Sequence, residues 1–208
     1  MHAIPERGFL LELAERVHAE TPLGRHVHLV LENEDNRVSL LEGGYTAQWN
    51  DDGHNVMHTL LTGESQGYYA DYSQDATDKL AKFLGEGFIY QGQKNRHGEP
   101  RGDPSAHLSP TSFVLFLQNH DQIGNRAFGE RLPSLADPDA LRAATAVLLL
   151  SPMIPLLFMG EEWGARQPFL FFTSHHGELA DAVREGRRGE FADFAEFADA
   201  ETRARIPD

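Results

Sequence analysis

Apolar positions recur along the chain in two rhythms, one helical and one extended. From Pro5 onward, Phe9, Leu10, Leu13 and Val17 fall at i, i+1, i+4 and i+8, the single stripe of an amphipathic helix opening on proline. Thr21-Pro22 and Gly24 end it. The run Val27, His28, Leu29, Val30, Leu31 predicts a short buried strand leading straight into Glu32. Gly43-Gly44 then breaks the chain before a second strand near Tyr45 to Trp49. Helical spacing returns from Val56 to Leu61 and from Ala76 to Phe88. Gln91 to Pro110, rich in Gly, Pro, His and charge, reads as a long loop of the kind that is functional or mobile. A third strand is predicted from Phe113 to Gln118, and a largely buried helix from about Pro138 to Leu150. A fourth strand follows from Ile154 to Met159. The tail from Gly177 to about Ala200 reads as an amphipathic helix broken near Gly186 and Gly189.

Strands that alternate with helices imply parallel βαβ units, and hence an α/β fold. The polar clusters follow the strands: Glu32, then Trp49 to Asp52, then Asn119 to Gln122, then Glu161 to Trp163. Active sites of (β/α)8 barrels collect at that end of the strands. A doubly wound sheet would place its site there too, but no Gly-rich phosphate fingerprint supports one. Four strands make half a barrel, with two strand edges left to manage.

Composition narrows the classes. The length of 208 residues suits one domain, and 40% hydrophobic content is enough for a core. A net charge of −14 argues against a nucleic-acid or anionic-membrane surface. The acidity of the tail reads as a solvated face. No apolar run approaches the roughly 20 residues that span a bilayer, and the charged N-terminus is unlike a secretory signal. The absence of Cys excludes thiolate chemistry and disulfides.

Within this frame a few side chains could carry chemistry. Glu32 stands where an apolar strand gives way to polar sequence, a setting that raises a carboxyl's pKa and suits a general acid. It is equally a surface carboxylate or a helix cap, and Glu34 and Asp35 compete with it. Asp121 stands at the end of another strand; two such carboxylates are what glycosidic cleavage requires. Its bland reading is a turn or an N-cap. His120 has no second His or Cys at ligand spacing, so a hydrogen-bonding role is preferred to a metal. Trp49, with Asn50, Asp51, Asp52 and His54, offers an aromatic face beside acceptors, although a lone Trp is more often core.

Taken together, "LVLENEDNR", "YTAQWNDD", "GYYADY", "PSAHLSPTSFVLFLQNHDQIGNRAFGERL" and "LLLSPMIPLLFMGEEWGA" resemble the malto-oligosyltrehalose trehalohydrolases of the α-amylase superfamily, glycoside hydrolase family 13. The resemblance implies a (β/α)8 catalytic domain of which residues 1–208 cover about strands 5–8. An N-terminal β-sandwich, the first half-barrel and a C-terminal β-domain would lie outside them. It implies a cytoplasmic, retaining hydrolase without a cofactor. That enzyme cleaves the α-1,4 bond beside the terminal trehalose of malto-oligosyltrehalose, an α-glucan. Residue by residue, Glu32 matches the proton donor and Asp121 the transition-state stabiliser. His120, Gln118, Asn119 and Gln122 match the substrate-contacting block, and Trp49, Asp51, Asp52 and His54 a second substrate-side segment. Gly53 and Asn55 depart from the aromatic and His of that segment. The family's nucleophile belongs to a motif reading approximately "RLDAVHAI", and the chain opens "MHAIPERGF", which places that Asp two positions before Met1. The expectation is a half-barrel that is inactive by itself. Branching or amylase-type relatives would share the Glu and the "NHD" but not the longer block after it.

Overall fold

A computed structural model describes residues 6–190, 194, 199–203 and 205–206. Four short strands, β1 (Val30–Leu31), β2 (Ala47–Trp49), β3 (Phe113–Leu115) and β4 (Ile154–Pro155), form one sheet. Every pairing is parallel, and the strands lie side by side in chain order. Sequential order without a reversal is what a barrel wall requires; a doubly wound sheet would switch direction from its first strand. The sheet is thus part of an α/β barrel, as the alternation of elements implied.

The strands are shorter than the apolar runs that announce them. β1 begins at Val30 rather than Val27, and β4 stops at Pro155 rather than Met159. Pairing, not hydrophobicity, sets these limits: β1 pairs with β2 at Val30 and Leu31, and β4 with β3 at Ile154 and Pro155. Phe116 and Leu117 stay buried beyond the end of β3, held by packing instead of a ladder. β3 is buried on both faces, as central parallel strands are. The outer strands are not: Val30 is 45% exposed and Ile154 37%.

The helices described are α1 (Glu6–Glu20), α2 (Val38–Leu41), α3 (Asp51–Thr62), α4 (Ala70–Ser73), α5 (Ala76–Glu86), α6 (His120–Gly124), α7 (Leu132–Leu135), α8 (Pro138–Leu150), α9 (Glu178–Glu190) and α10 (Ala200–Arg203). After α1 the Thr21 hydroxyl donates to the Val17 carbonyl (2.6 Å), closing its last turn. α8 is less buried than its composition suggested. Ala144 and Leu148 face inward, whereas Leu150 is 83% exposed. α9 runs through Gly186 and Gly189 without a break. Each glycine costs roughly 1 kcal/mol inside a helix, and the helix continues through both. The part of the predicted tail helix beyond Glu190 lies mostly outside the described residues. Among the described residues no helix is long and apolar enough to cross a membrane.

The chain divides into two compact units. One holds the residues up to 54 with 77–116 and 148–156; the other holds 55–76, 117–147 and the residues from 157 onward. The first contains the whole sheet, with Leu31, Ala47, Phe83, Phe88 and Phe113 to Phe116 at its centre. Phe88 meets Phe113 edge to face at 5.0 Å. The second is built around Val56, Met57, Tyr69, Tyr72, Leu117, Ile123 and Leu132.

Candidate active-site residues in each unit

In the sheet-bearing unit, Glu32 is the first residue after β1 and is exposed. It lines a groove of about 610 Å³ that Phe9, Leu13, Leu29, Leu31 and Tyr45 make largely apolar. The edge position of β1 explains both its accessibility and its neighbours. Asp51 and Asp52 open α3 directly behind β2 and differ sharply. Asp52 is fully buried. Its Oδ2 accepts from Asn36 Nδ2 (2.7 Å), Ile89 N (2.7 Å) and Tyr90 N (3.0 Å), and its Oδ1 from an Arg101 guanidinium nitrogen (3.1 Å). It is the tie-point of three segments.

Asp51 is half-buried. Burial pushes its carboxyl up, and the negative charge of Asp52 adds to this; together with Glu32 and Glu34 they outweigh Arg101 and set it at about 7. Arg101 is already engaged: its Nε donates to the Glu34 carbonyl (2.7 Å), and its guanidinium stands 5.0 Å over the Tyr90 ring. The long loop that supplies Arg101 is ordered by these bonds and by an antiparallel bridge between Lys94 and Pro100. Trp49 is half-buried, tilted against Phe116 at 5.8 Å. His54 is buried and stacked on the same ring at 5.3 Å.

Gly53 stands where the resemblance implies an aromatic. A Cβ there would come within 2.5 Å of the Phe83 ring. Phe83 of α5, itself fully buried, occupies the space that an aromatic at position 53 would take.

In the other unit, the polar stretch after β3 resolves into a helix start. Asn119 caps α6 from an extended backbone, its Oδ1 accepting from Asp121 N (2.8 Å) and Gln122 N (3.1 Å). Gln118 is buried and used on both sides, donating to Glu161 Oε1 (2.9 Å) and accepting from Leu132 N (2.8 Å). His120, Asp121 and Gln122 are the half-exposed members of the block. Asp121 Oδ1 accepts from Asn125 Nδ2 at 2.8 Å. Gln122 Oε1 is buried with no hydrogen-bonding partner among the described residues.

No family model matches the chain. Individual relatives do. It is 42% identical over 196 residues to malto-oligosyltrehalose trehalohydrolase of Arthrobacter ramosus, covering 88% of this chain and 33% of that protein. The Deinococcus radiodurans protein of the same name is 42% identical over 198 residues, covering 93% of this chain and 32% of the relative. A 1.4 Å crystal structure of a Salmonella typhimurium protein assigned as an alpha amylase superposes with a TM-score of 0.86 at 48% identity. That match covers 93% of this chain and 34% of the Salmonella chain. The chain belongs to the malto-oligosyltrehalose trehalohydrolase family. It spans about a third of the length of these relatives.

Several residues of this trehalohydrolase segment escaped sequence reading. Arg101 sits in a loop with no periodicity to mark it. Glu161 stands out in the sequence only as part of a polar cluster after the fourth strand. Burial pushes its carboxyl up, although the Gln118 amide, the Phe158 N–H (2.6 Å) and nearby Arg131 act against this. Arg126, His58 and Glu64 form a compact ionic group. Arg126 grips Glu64 through two bonds of 2.8 Å, and His58 Nε2 lies 2.7 Å from Glu64 Oε2. The His58 ring also stacks on Tyr69 at 4.2 Å. Only their meeting in space identifies them.

Proposed function

We propose that the enzyme carrying this segment hydrolyses the α-1,4-glucosidic bond next to the terminal trehalose of malto-oligosyltrehalose. Free trehalose departs as the leaving group, and a further carboxylate that the resemblance implies as nucleophile takes up the remaining glycosyl group. Water then releases it with retention of configuration, as a step of trehalose formation in the cytoplasm. Glu32 protonates the departing glycosidic oxygen, and the Asp121 carboxylate meets the positive charge that develops on the reacting sugar. His120 and Gln122 hydrogen-bond sugar hydroxyls, and Trp49 offers an apolar face to a ring. A sugar hydroxyl would supply the partner that Gln122 Oε1 lacks among the described residues.

Gln118, Asn119, Asp52 and His54 act one step back in this reading. Each is buried, and Gln118, Asn119 and Asp52 spend their polar atoms on protein partners, so they hold the contacting residues in place. Asp51 stands between the two groups. Held at about 7, it can donate a hydrogen bond to a hydroxyl oxygen at neutral pH or accept one.

The observation that carries the proposal is 42% identity to proteins named for this reaction, extending over 88–93% of the chain. One finding favours a second reading, hydrolysis of an ordinary α-1,4-glucan: the Salmonella protein assigned as an alpha amylase is 48% identical. Product analysis separates the two. Malto-oligosyltrehalose should yield free trehalose and a malto-oligosaccharide shortened only by that unit; random shortening with no trehalose would establish the amylase reading instead.

A further inference from the structure

Asp121 can serve a developing cation only if its carboxylate is held in one orientation, and one of its oxygens is held by Asn125. The Asn125 amide can be placed two ways, and only one presents its NH2 to Asp121 Oδ1. Arg187, two turns into α9, decides between them. Its guanidinium donates to Asn125 Oδ1 (3.2 Å) and to the Gly124 carbonyl (2.9 Å) at the C-terminal end of α6. With the amide oxygen fixed by Arg187, the nitrogen must face Asp121.

The same guanidinium stands 5.3 Å over the Phe171 ring. Phe171 packs so closely on Gly124 that a Cβ there would approach to 2.6 Å, and its ring lies 6.2 Å from that of His120. Arg187 therefore touches Asn125, Gly124 and Phe171, three supports beneath the His120–Asp121 pair. A solvated acidic tail has no need of a half-buried arginine with two directed bonds and an aromatic partner.

We propose that Arg187 is a positioning residue for the glycosidase reaction, acting through Asn125 to orient the Asp121 carboxylate. This rests on the role given to Asp121 above. The tests use the trehalohydrolase that carries this segment.

Arg187→Met keeps the side chain's length and removes its donors. We expect kcat to fall about 10- to 100-fold, the scale of a displaced catalytic group, with KM changing less than about twofold, because the lost interaction matters in the transition state. Arg187→Lys should recover part of the loss. Asn125→Ala should lower kcat similarly, and adding Arg187→Met to it should cost less than a further twofold. Asn125→Asp guards against a folding artefact. It keeps an acceptor for Arg187, so the melting temperature should hold, yet it removes the donor to Asp121, so kcat should still drop. Unchanged kcat in Arg187→Met, fully multiplicative losses in the double variant, or full activity in Asn125→Asp would each overturn the inference. An enzyme that cleaves ordinary α-glucan but releases no trehalose would refute the substrate assignment alone. The same kcat comparisons on that glucan would then test Arg187.

Discussion

Two carboxylates bracket α3, and their environments push them in opposite directions. Asp51 opens the helix and is driven up to about 7 by burial and by Asp52, Glu32 and Glu34. Glu64 follows the helix end. Burial pushes it up as well, but hydrogen bonds from His58 and Arg126 win and hold it at about 2. The difference lies in the arginines. Arg126 gives two nitrogens to Glu64 and a third to Glu130 (3.3 Å). Arg101 is engaged by Asp52 and the Glu34 carbonyl and only partly offsets the charges around Asp51. Crowded, under-neutralised carboxylates mark a site; neutralised ones mark a strut.

The strut should break hardest. Arg126→Met leaves Glu64 and Glu130 without their cation in a partly buried setting. It should cost roughly 1–3 kcal/mol, between the values for exposed and buried pairs, read as a fall in denaturation midpoint. A loss within error would mean that the network is ornamental.

Acidification sharpens the contrast. Glu64's stabilising contribution is present above its ordinary value of 4.5 and is lost as pH falls through about 2. Burial holds His58 below its usual 6.5, more than Glu64 raises it. Protonation of the unfolded chain below pH 6.5 therefore also favours unfolding. Asp51 has the reverse sign: its contribution is full below 3.8 and is lost as pH rises through about 7. Asp51→Asn should accordingly be more stable than the parent at pH 8 and indistinguishable from it near pH 4. Thermal melts at the two values check this, and a less stable variant at pH 8 would contradict the electrostatic account of Asp51.

Much of the fold was legible because it is written in local periodicity. α1, α3, α5 and α8 follow from spacing, and the four parallel strands follow from their alternation with helices. Strand ends were not legible, because Val27 and Leu156 to Met159 are as apolar as the paired residues. Pairing depends on where the neighbouring strand runs out, β2 for β1 and β3 for β4. The unbroken α9 was misread for a related reason, since Gly186 and Gly189 look like breakers to a rule that cannot see tertiary contacts.

At the candidate site, Glu32 and Asp121 could be named from their position after strands. Glu32 stands exposed beside a largely apolar groove after an edge strand, and the carboxyls that burial raises are Asp51 and Glu161. Arg101, Arg126 and Arg187 were invisible because each acts across 49 residues or more of sequence.

The central claim is that Glu32 is the proton donor, and leaving-group chemistry tests it most directly. In the enzyme carrying this segment, Glu32→Gln should slow release of trehalose from malto-oligosyltrehalose by about 10²- to 10⁴-fold. The same variant should keep a near-parental first step on an α-maltosyl fluoride, read as the burst of fluoride released in the first turnover, because fluoride departs without a proton. Equal losses on both substrates, or full activity on malto-oligosyltrehalose, would contradict the assignment.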